Sequence, residues 1–146
     1  MDAEILTWAS GNLGFALTGA GSSYADYPTY QFNIRNKCLA LTTRKTGLFG
    51  VMVNMPIAAG NIGTFDMLNA MKDPPTATRF GMPFDYVPTS LQVYYNYRFR
   101  EVFYELDAAA SDKLKPVPER KDHFNIYAIF YESTGDKKTL DGTNAL

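Results

Sequence analysis

What this chain has little of narrows its chemistry before any pattern is read. Cysteine occurs once, at Cys38, so there is no intrachain disulfide framework and no redox pair. Between Lys37 and Leu39, in a short apolar run, it reads as a buried structural thiol. Histidine also occurs once, at His123. It has no second histidine with which to make a metal site and no serine elbow to serve, so it reads as a surface or strand-edge residue. Charge is scarce: 14 Lys and Arg stand against 15 Asp and Glu, spread thinly. Without the basic stripe that phosphate backbones require, nucleic acid is a poor partner. No apolar run approaches the roughly 20 residues of a spanning helix, and no charged, apolar, small-residue leader opens the chain. It therefore reads as soluble, with no transmembrane segment, although a signal or lipid anchor removed upstream would fit the same letters. Repeats and low-complexity tracts are missing, and Gly60-Asn61-Ile62-Gly63 lacks the lysine and helix start of a phosphate loop.

Aromatics, by contrast, are plentiful, with 10 Tyr and 10 Phe beside the single Trp8. Together with threonine, β-branched residues and frequent Gly and Pro, they favour strands and turns. At 146 residues the chain fits one domain, residues 1–146, able to bury roughly two-thirds of its unfolded surface without a metal or disulfide staple. Its two ends, Met1-Asp-Ala-Glu and Asn144-Ala145-Leu146, read as the borders of a part excised from a longer protein.

Along the chain, residues 1–14 read as an edge strand entering a turn, followed by a brief strand at Phe15–Leu17 and a break at Gly19–Ser23. Tyr24, Tyr27 and Tyr30 lie in a loop whose rings are expected to pack down on a sheet. Gln31–Ile34 and Lys37–Thr43 alternate as strands, Lys45–Gly50 reads as a turn, and Phe49–Val53 is apolar again. The small residues of Ile57–Gly63 imply close approach of another strand or of a bound ring, with packing as the plainer cause. Phe65, Leu68 and Met71 have helical spacing, ended by Asp73-Pro74-Pro75. Residues 107–122 read as a solvated insertion. About eight short strands with proline and glycine turns predict an all-β, antiparallel β-sandwich of jelly-roll type, with at most one or two short helices.

The strongest pattern runs through the proline-punctuated stretch from Arg79 to Arg98. Leu91, Val93, Tyr95, Tyr97 and Phe99 point one way on a strand, toward a core, while Gln92, Tyr94, Asn96 and Arg98 point the other. Phe124–Glu132 is a second strand, apolar on both faces and placed centrally. Sugars offer apolar ring faces rimmed by hydroxyls, so their binding needs exposed aromatics together with amide or guanidinium groups. Gln92, Tyr94, Asn96 and Arg98 supply that set; Tyr127 could extend it, and Trp8 with Asn12 could contribute from the edge. An enzyme reading would need two carboxylates about 5–9 Å apart across a cleft. Asp85, Glu101, Glu105, Asp107, Asp122 and Glu132 are available, but spacing pairs none of them, and no catalytic residue is assigned. No cofactor is called for, although loop carbonyls and carboxylates could hold a structural calcium.

Several residue groups together resemble a known family: Asn12 and Gly14 after Trp8, Tyr27-Pro28-Thr29, Leu41-Thr42-Thr43, Ala59-Gly60-Asn61, Arg79-Phe80-Gly81-Met82-Pro83-Phe84, Pro88-Thr89-Ser90-Leu91, Tyr94-Tyr95-Asn96-Tyr97, Asp122, Ile126-Tyr127-Ala128 and Leu140-Asp141-Gly142-Thr143-Asn144. They are similar to the putative carbohydrate metabolism domain of exported surface lipoproteins from gut-dwelling Gram-negative bacteria, most specifically between Phe80 and Tyr97. The resemblance implies a β-sandwich like carbohydrate-binding modules, an outer-membrane surface or periplasmic setting, and a glycan or polysaccharide partner. Three functions stay open: a non-catalytic glycan-binding or surface-display domain, a glycoside hydrolase, and a structural or adhesive module with protein partners at the cell surface. The first is the expectation carried forward.

Overall fold

The computed structural model describes residues 8–34, 36–65, 73, 76, 78–81, 85–132, 140–141 and 143–144. Its elements are mostly strands, with few and short helices, consistent with an all-β chain. The sheets are small and open, with two or three strands each among the described residues. The chain divides into two compact units, one formed by Met1–Gly81 with Lys137–Leu146 and the other by Met82–Asp136.

Among the described residues, the first unit contains three sheets. β1 (Trp8–Ala9), β6 (Gly63–Phe65) and β7 (Thr78–Arg79) form an antiparallel sheet in the order β1-β6-β7, with Trp8 opposite Thr64 and Thr64 opposite Arg79. β2 (Thr29–Ile34) and β3 (Asn36–Leu41) make an antiparallel hairpin whose register runs from Thr29 opposite Leu41 to Ile34 opposite Asn36. The two strands expected here from alternation are present. β4 (Arg44–Lys45) pairs with β5 (Ile57–Ala58).

Two segments differ from the sequence reading. The strand expected at Phe15–Leu17 is the helix α1 (Asn12–Leu17), closed by Phe15 N donating to the Gly11 carbonyl at 3.0 Å. Asn12-Leu13-Gly14-Phe15-Ala16-Leu17 holds no β-branched residue, and its Leu and Ala favour helix. The helix turns Phe15 inward, where it is 4% exposed and meets Tyr27 edge-on with ring centroids 5.8 Å apart. Likewise the turn and apolar run after Lys45 contain α2 (Leu48–Met52), which ends as Met55 N donates to the Gly50 carbonyl at 2.7 Å. The helix expected across Phe65–Lys72 lies, after Phe65, outside the described residues.

Small residues at Ile57–Gly63 do admit another backbone. A Cβ at Gly60 would stand 2.6 Å from Thr42 N, and Gly60 N donates to the Thr42 carbonyl at 2.8 Å. Cys38 is exposed rather than buried. It sits opposite Phe32 in a hairpin of two strands, itself half exposed, so the short apolar run around it does not enclose the thiol.

In the second unit, β8 (Phe103–Leu106) and β9 (Leu114–Val117) form a hairpin, with Phe103 opposite Val117 and Leu106 opposite Leu114. This corrects the reading of 107–122 as a solvated insertion. Residues 107–113 and 118–122 are turn and loop, but 114–117 is strand, and Leu114 and Val117 are among the most buried residues described. Alternation was masked there because the two buried apolar residues flank Lys115 and Pro116. Across the hairpin, the Arg120 guanidinium pairs with Glu105 and lies 4.5 Å from the Phe103 ring centroid.

The segments 91–100 and 121–132 carry no ladder hydrogen bonds, against the expectation of two strong strands. Period-two alternation reports which side of a segment is apolar, whereas a ladder needs a neighbour's backbone in register. Leu91, Val93 and Phe99 correspondingly remain exposed instead of entering a core.

Candidate functional site

The second unit holds the patterned segment. The Phe124 ring stacks on Tyr97 at 4.8 Å and 12° and lies 5.2 Å from Tyr95 at 44°. Two tyrosines separated by one residue thus reach the same ring, which fixes them to one side of their segment and turns Tyr94 and Asn96 to the other. Every residue from 91 to 100 is exposed, Tyr94 most of all at 90%, with Gln92, Asn96 and Arg98 beside it. Tyr127, on the segment that carries Phe124, is 78% exposed. The aromatic contacts therefore hold the two segments together from one side. The other side of 92–98 presents a phenol, two amides and a guanidinium to solvent.

Asp122 stands beside this contact. Desolvation first, then the charge of Asp122 and its hydrogen bond with the phenol, raise the Tyr97 pKa above the ordinary tyrosine value of 10.0. The phenol is thus neutral and donating across the physiological range. Tyr95, Tyr97, Phe124 and Asp122 were not singled out together by the sequence, because a cross-segment stack depends on how 91–100 and 121–126 meet.

Trp8 and Asn12 belong to the first unit, and the structure gives them different surroundings. Trp8 is 53% exposed on β1. Asn12 is half buried, and its amide is engaged on both sides: Nδ2 donates to the Thr29 carbonyl at 2.6 Å, while Thr29 N donates to Oδ1 at 3.1 Å. Thr29 is itself buried, its hydroxyl donating to the Asn61 carbonyl at 2.8 Å and accepting from Asn61 N at 2.9 Å. Asn61 Oδ1 accepts from Gly11 N at 2.8 Å. Pro28, Thr29, Thr42, Gly60 and Asn61, all within the groups that carried the family resemblance, meet in this node.

The family model for the Putative carbohydrate metabolism domain matches residues 1–146. The chain belongs to this family. Two solved structures are similar to it. One, a protein described as a putative glycoside hydrolase from Bacteroides thetaiotaomicron, is 42% identical with a TM-score of 0.67, the match covering 99% of this chain and 42% of that one. The other, described as a putative glycoside hydrolase from Bacteroides vulgatus, is also 42% identical with a TM-score of 0.60, covering 94% of this chain and 53% of that one. The chain thus spans about half or less of the length of these relatives. No curated protein matches it.

Among the described residues, no three His, Cys, Asp or Glu side chains gather as a metal centre would need. No described helix is long and apolar enough to cross a membrane.

Proposed function

We propose that this member of a carbohydrate-metabolism family is a non-catalytic carbohydrate-binding or surface-display domain, and that Tyr94 is its principal contact with sugar. The observation that carries the reading is the side of 92–98 turned away from the Phe124 stack. There the most exposed tyrosine of the chain is flanked by Gln92, Asn96 and Arg98. A pyranose stacks its apolar face on the phenol ring while amide and guanidinium donors meet its hydroxyls. Tyr127 extends the surface, and Trp8 offers a second ring in the first unit. The reading includes a single domain over 1–146, a jelly-roll β-sandwich like that of carbohydrate-binding modules, and an exported protein held at the outer-membrane surface or in the periplasm as a lipoprotein.

The names of the two solved relatives favour a second reading, a glycoside hydrolase acting through paired carboxylates. A glycan array that includes mucin and plant polysaccharides, run on the full chain and on Tyr94→Ala, separates the two. Saturable binding lost in the variant, with unchanged circular dichroism and no release of reducing sugar, is the expected result. Release of reducing sugar from a bound glycan moves the assignment to the hydrolase. No binding to any glycan removes the sugar-binding reading.

A further inference from the structure

The register of the three-stranded sheet places three chemically matched side chains in one row. Trp8 on β1 is opposite Thr64 on β6, which is opposite Arg79 on β7. Directly opposed residues of antiparallel strands project from the same face. The row therefore carries an indole, a hydroxyl and a guanidinium in that order, with Trp8 and Arg79 exposed and Thr64 half buried between them. The Thr64 hydroxyl donates to the Arg79 carbonyl at 2.8 Å, which ties β6 to β7 at this level and leaves its oxygen as an acceptor. Two strand spacings separate Trp8 from Arg79, roughly 10 Å. That separation admits one sugar ring over the indole with an exocyclic group reaching the arginine.

We propose that Trp8, Thr64 and Arg79 form a subsite for a hexuronic acid, a sugar unit that carries a carboxylate. This rests on the reading of the chain as glycan-binding, but on a different sheet and different residues from those around Tyr94. The assignment of charge comes from Arg79. A guanidinium offers five donors in a fixed fork that fits a carboxylate bidentately, and it does so while keeping other contacts. Trp8 supplies the largest ring face in the chain for the apolar side of the sugar. A neutral sugar would use the indole and Thr64 and gain little from the fork.

Isothermal titration calorimetry of the full chain with tetragalacturonic acid and with its methyl ester tests this, because the two differ in charge and share the ring. The acid is expected to bind at least about tenfold more tightly, a preference that shrinks as salt screens the exposed pair. Arg79→Gln brings the acid to the level of the ester, Arg79→Lys gives an intermediate value, and Trp8→Ala weakens both. Arg120→Gln, which removes an exposed guanidinium outside both faces, leaves the ratio of acid to ester unchanged. Equal affinity for acid and ester, or a preference that survives Arg79→Gln, overturns the subsite. If the array binding depends on Tyr94 while acid and ester bind alike, the subsite falls and the wider reading stands. An acid preference lost in Arg79→Gln alongside array binding indifferent to Tyr94 gives the reverse. The salt series on the unmodified chain decides the matter should a variant not fold.

Discussion

Replacing Asn12 by alanine should cost the first unit roughly 2–4 kcal/mol of stability. The amide of Asn12 both accepts from and donates to the backbone of Thr29, at 3.1 and 2.6 Å, as a neighbouring strand would. Thr29 is 7% exposed, so water reaches its freed N–H and carbonyl poorly. A hydrogen bond contributes about 1 kcal/mol net, and a buried group left without its partner costs about 1–3 kcal/mol. Two bonds, with some solvent relief at a half-buried position, give the range stated. Against a domain stability of about 5–15 kcal/mol this is a large fraction. The chain has one tryptophan, Trp8, in the same unit, so urea unfolding followed by its fluorescence reports the relevant transition. The midpoint should fall with little change in the denaturant slope. Asn12→Asp keeps an acceptor for Thr29 N–H but sets a carboxylate against the Thr29 carbonyl, and should rescue little. A loss below about 0.5 kcal/mol in Asn12→Ala would refute the clasp, since it would show that water replaces both bonds without penalty.

Other outcomes follow from the same geometry. Gly60→Ala drives a methyl into the backbone of Pro28 and Thr42 and should cost about 1–3 kcal/mol by overpacking, read from the same fluorescence transition. Arg120→Ala removes an exposed ion pair and a ring contact, so a double-mutant cycle with Glu105→Ala should give a coupling of no more than about 1 kcal/mol. The raised pKa of Tyr97 means that the unfolded chain ionises first on the alkaline side. Its contribution is therefore complete below the ordinary tyrosine value and is lost as pH rises past it. Denaturation midpoints measured on either side of pH 10 should show a smaller alkaline loss in Tyr97→Phe. For Asp26 the sign reverses: backbone N–H groups of Ser23 and Ser22 hold its carboxyl below 3.8. That stabilisation is present above the ordinary value and lost as pH falls, so Asp26→Asn should flatten the acid limb of the stability curve.

The two strands of β2 and β3 were legible, as Gln31–Ile34 and Lys37–Thr43, because those stretches alternate; their pairing into a hairpin came only with the structure. The helices α1 and α2 were hidden by their length, five or six residues, too short for a helical period to emerge. β9 was hidden by its company, since Lys115 and Pro116 between Leu114 and Val117 look like the polar insertion around them. On the site side, alternation named Gln92, Tyr94, Asn96 and Arg98 as one set, but it did not sort exposure, since the odd-numbered Leu91, Val93 and Phe99 are exposed as well. The double engagement of Asn12 does not. An asparagine after Gly11 carries the same letters whether its amide meets a sugar or a backbone, and only the return of Thr29 beside it decides. The row that Thr64 and Arg79 make with Trp8 escaped notice for the same reason: a row across a sheet is set by register, which pairs residues far apart in sequence.

That register also orders events in time. β2 with β3, and β8 with β9, are consecutive strands joined by short connections, so each hairpin can close within microseconds of the chain being released from denaturant. β1 must wait for β6, because joining Trp8 to Thr64 ties off a loop that contains the whole β2–β3 hairpin, and such a loop carries a larger closure entropy. Trp8 is thus a late reporter: its fluorescence should settle after the backbone signal of the hairpins, and the face it shares with Arg79 comes into being last.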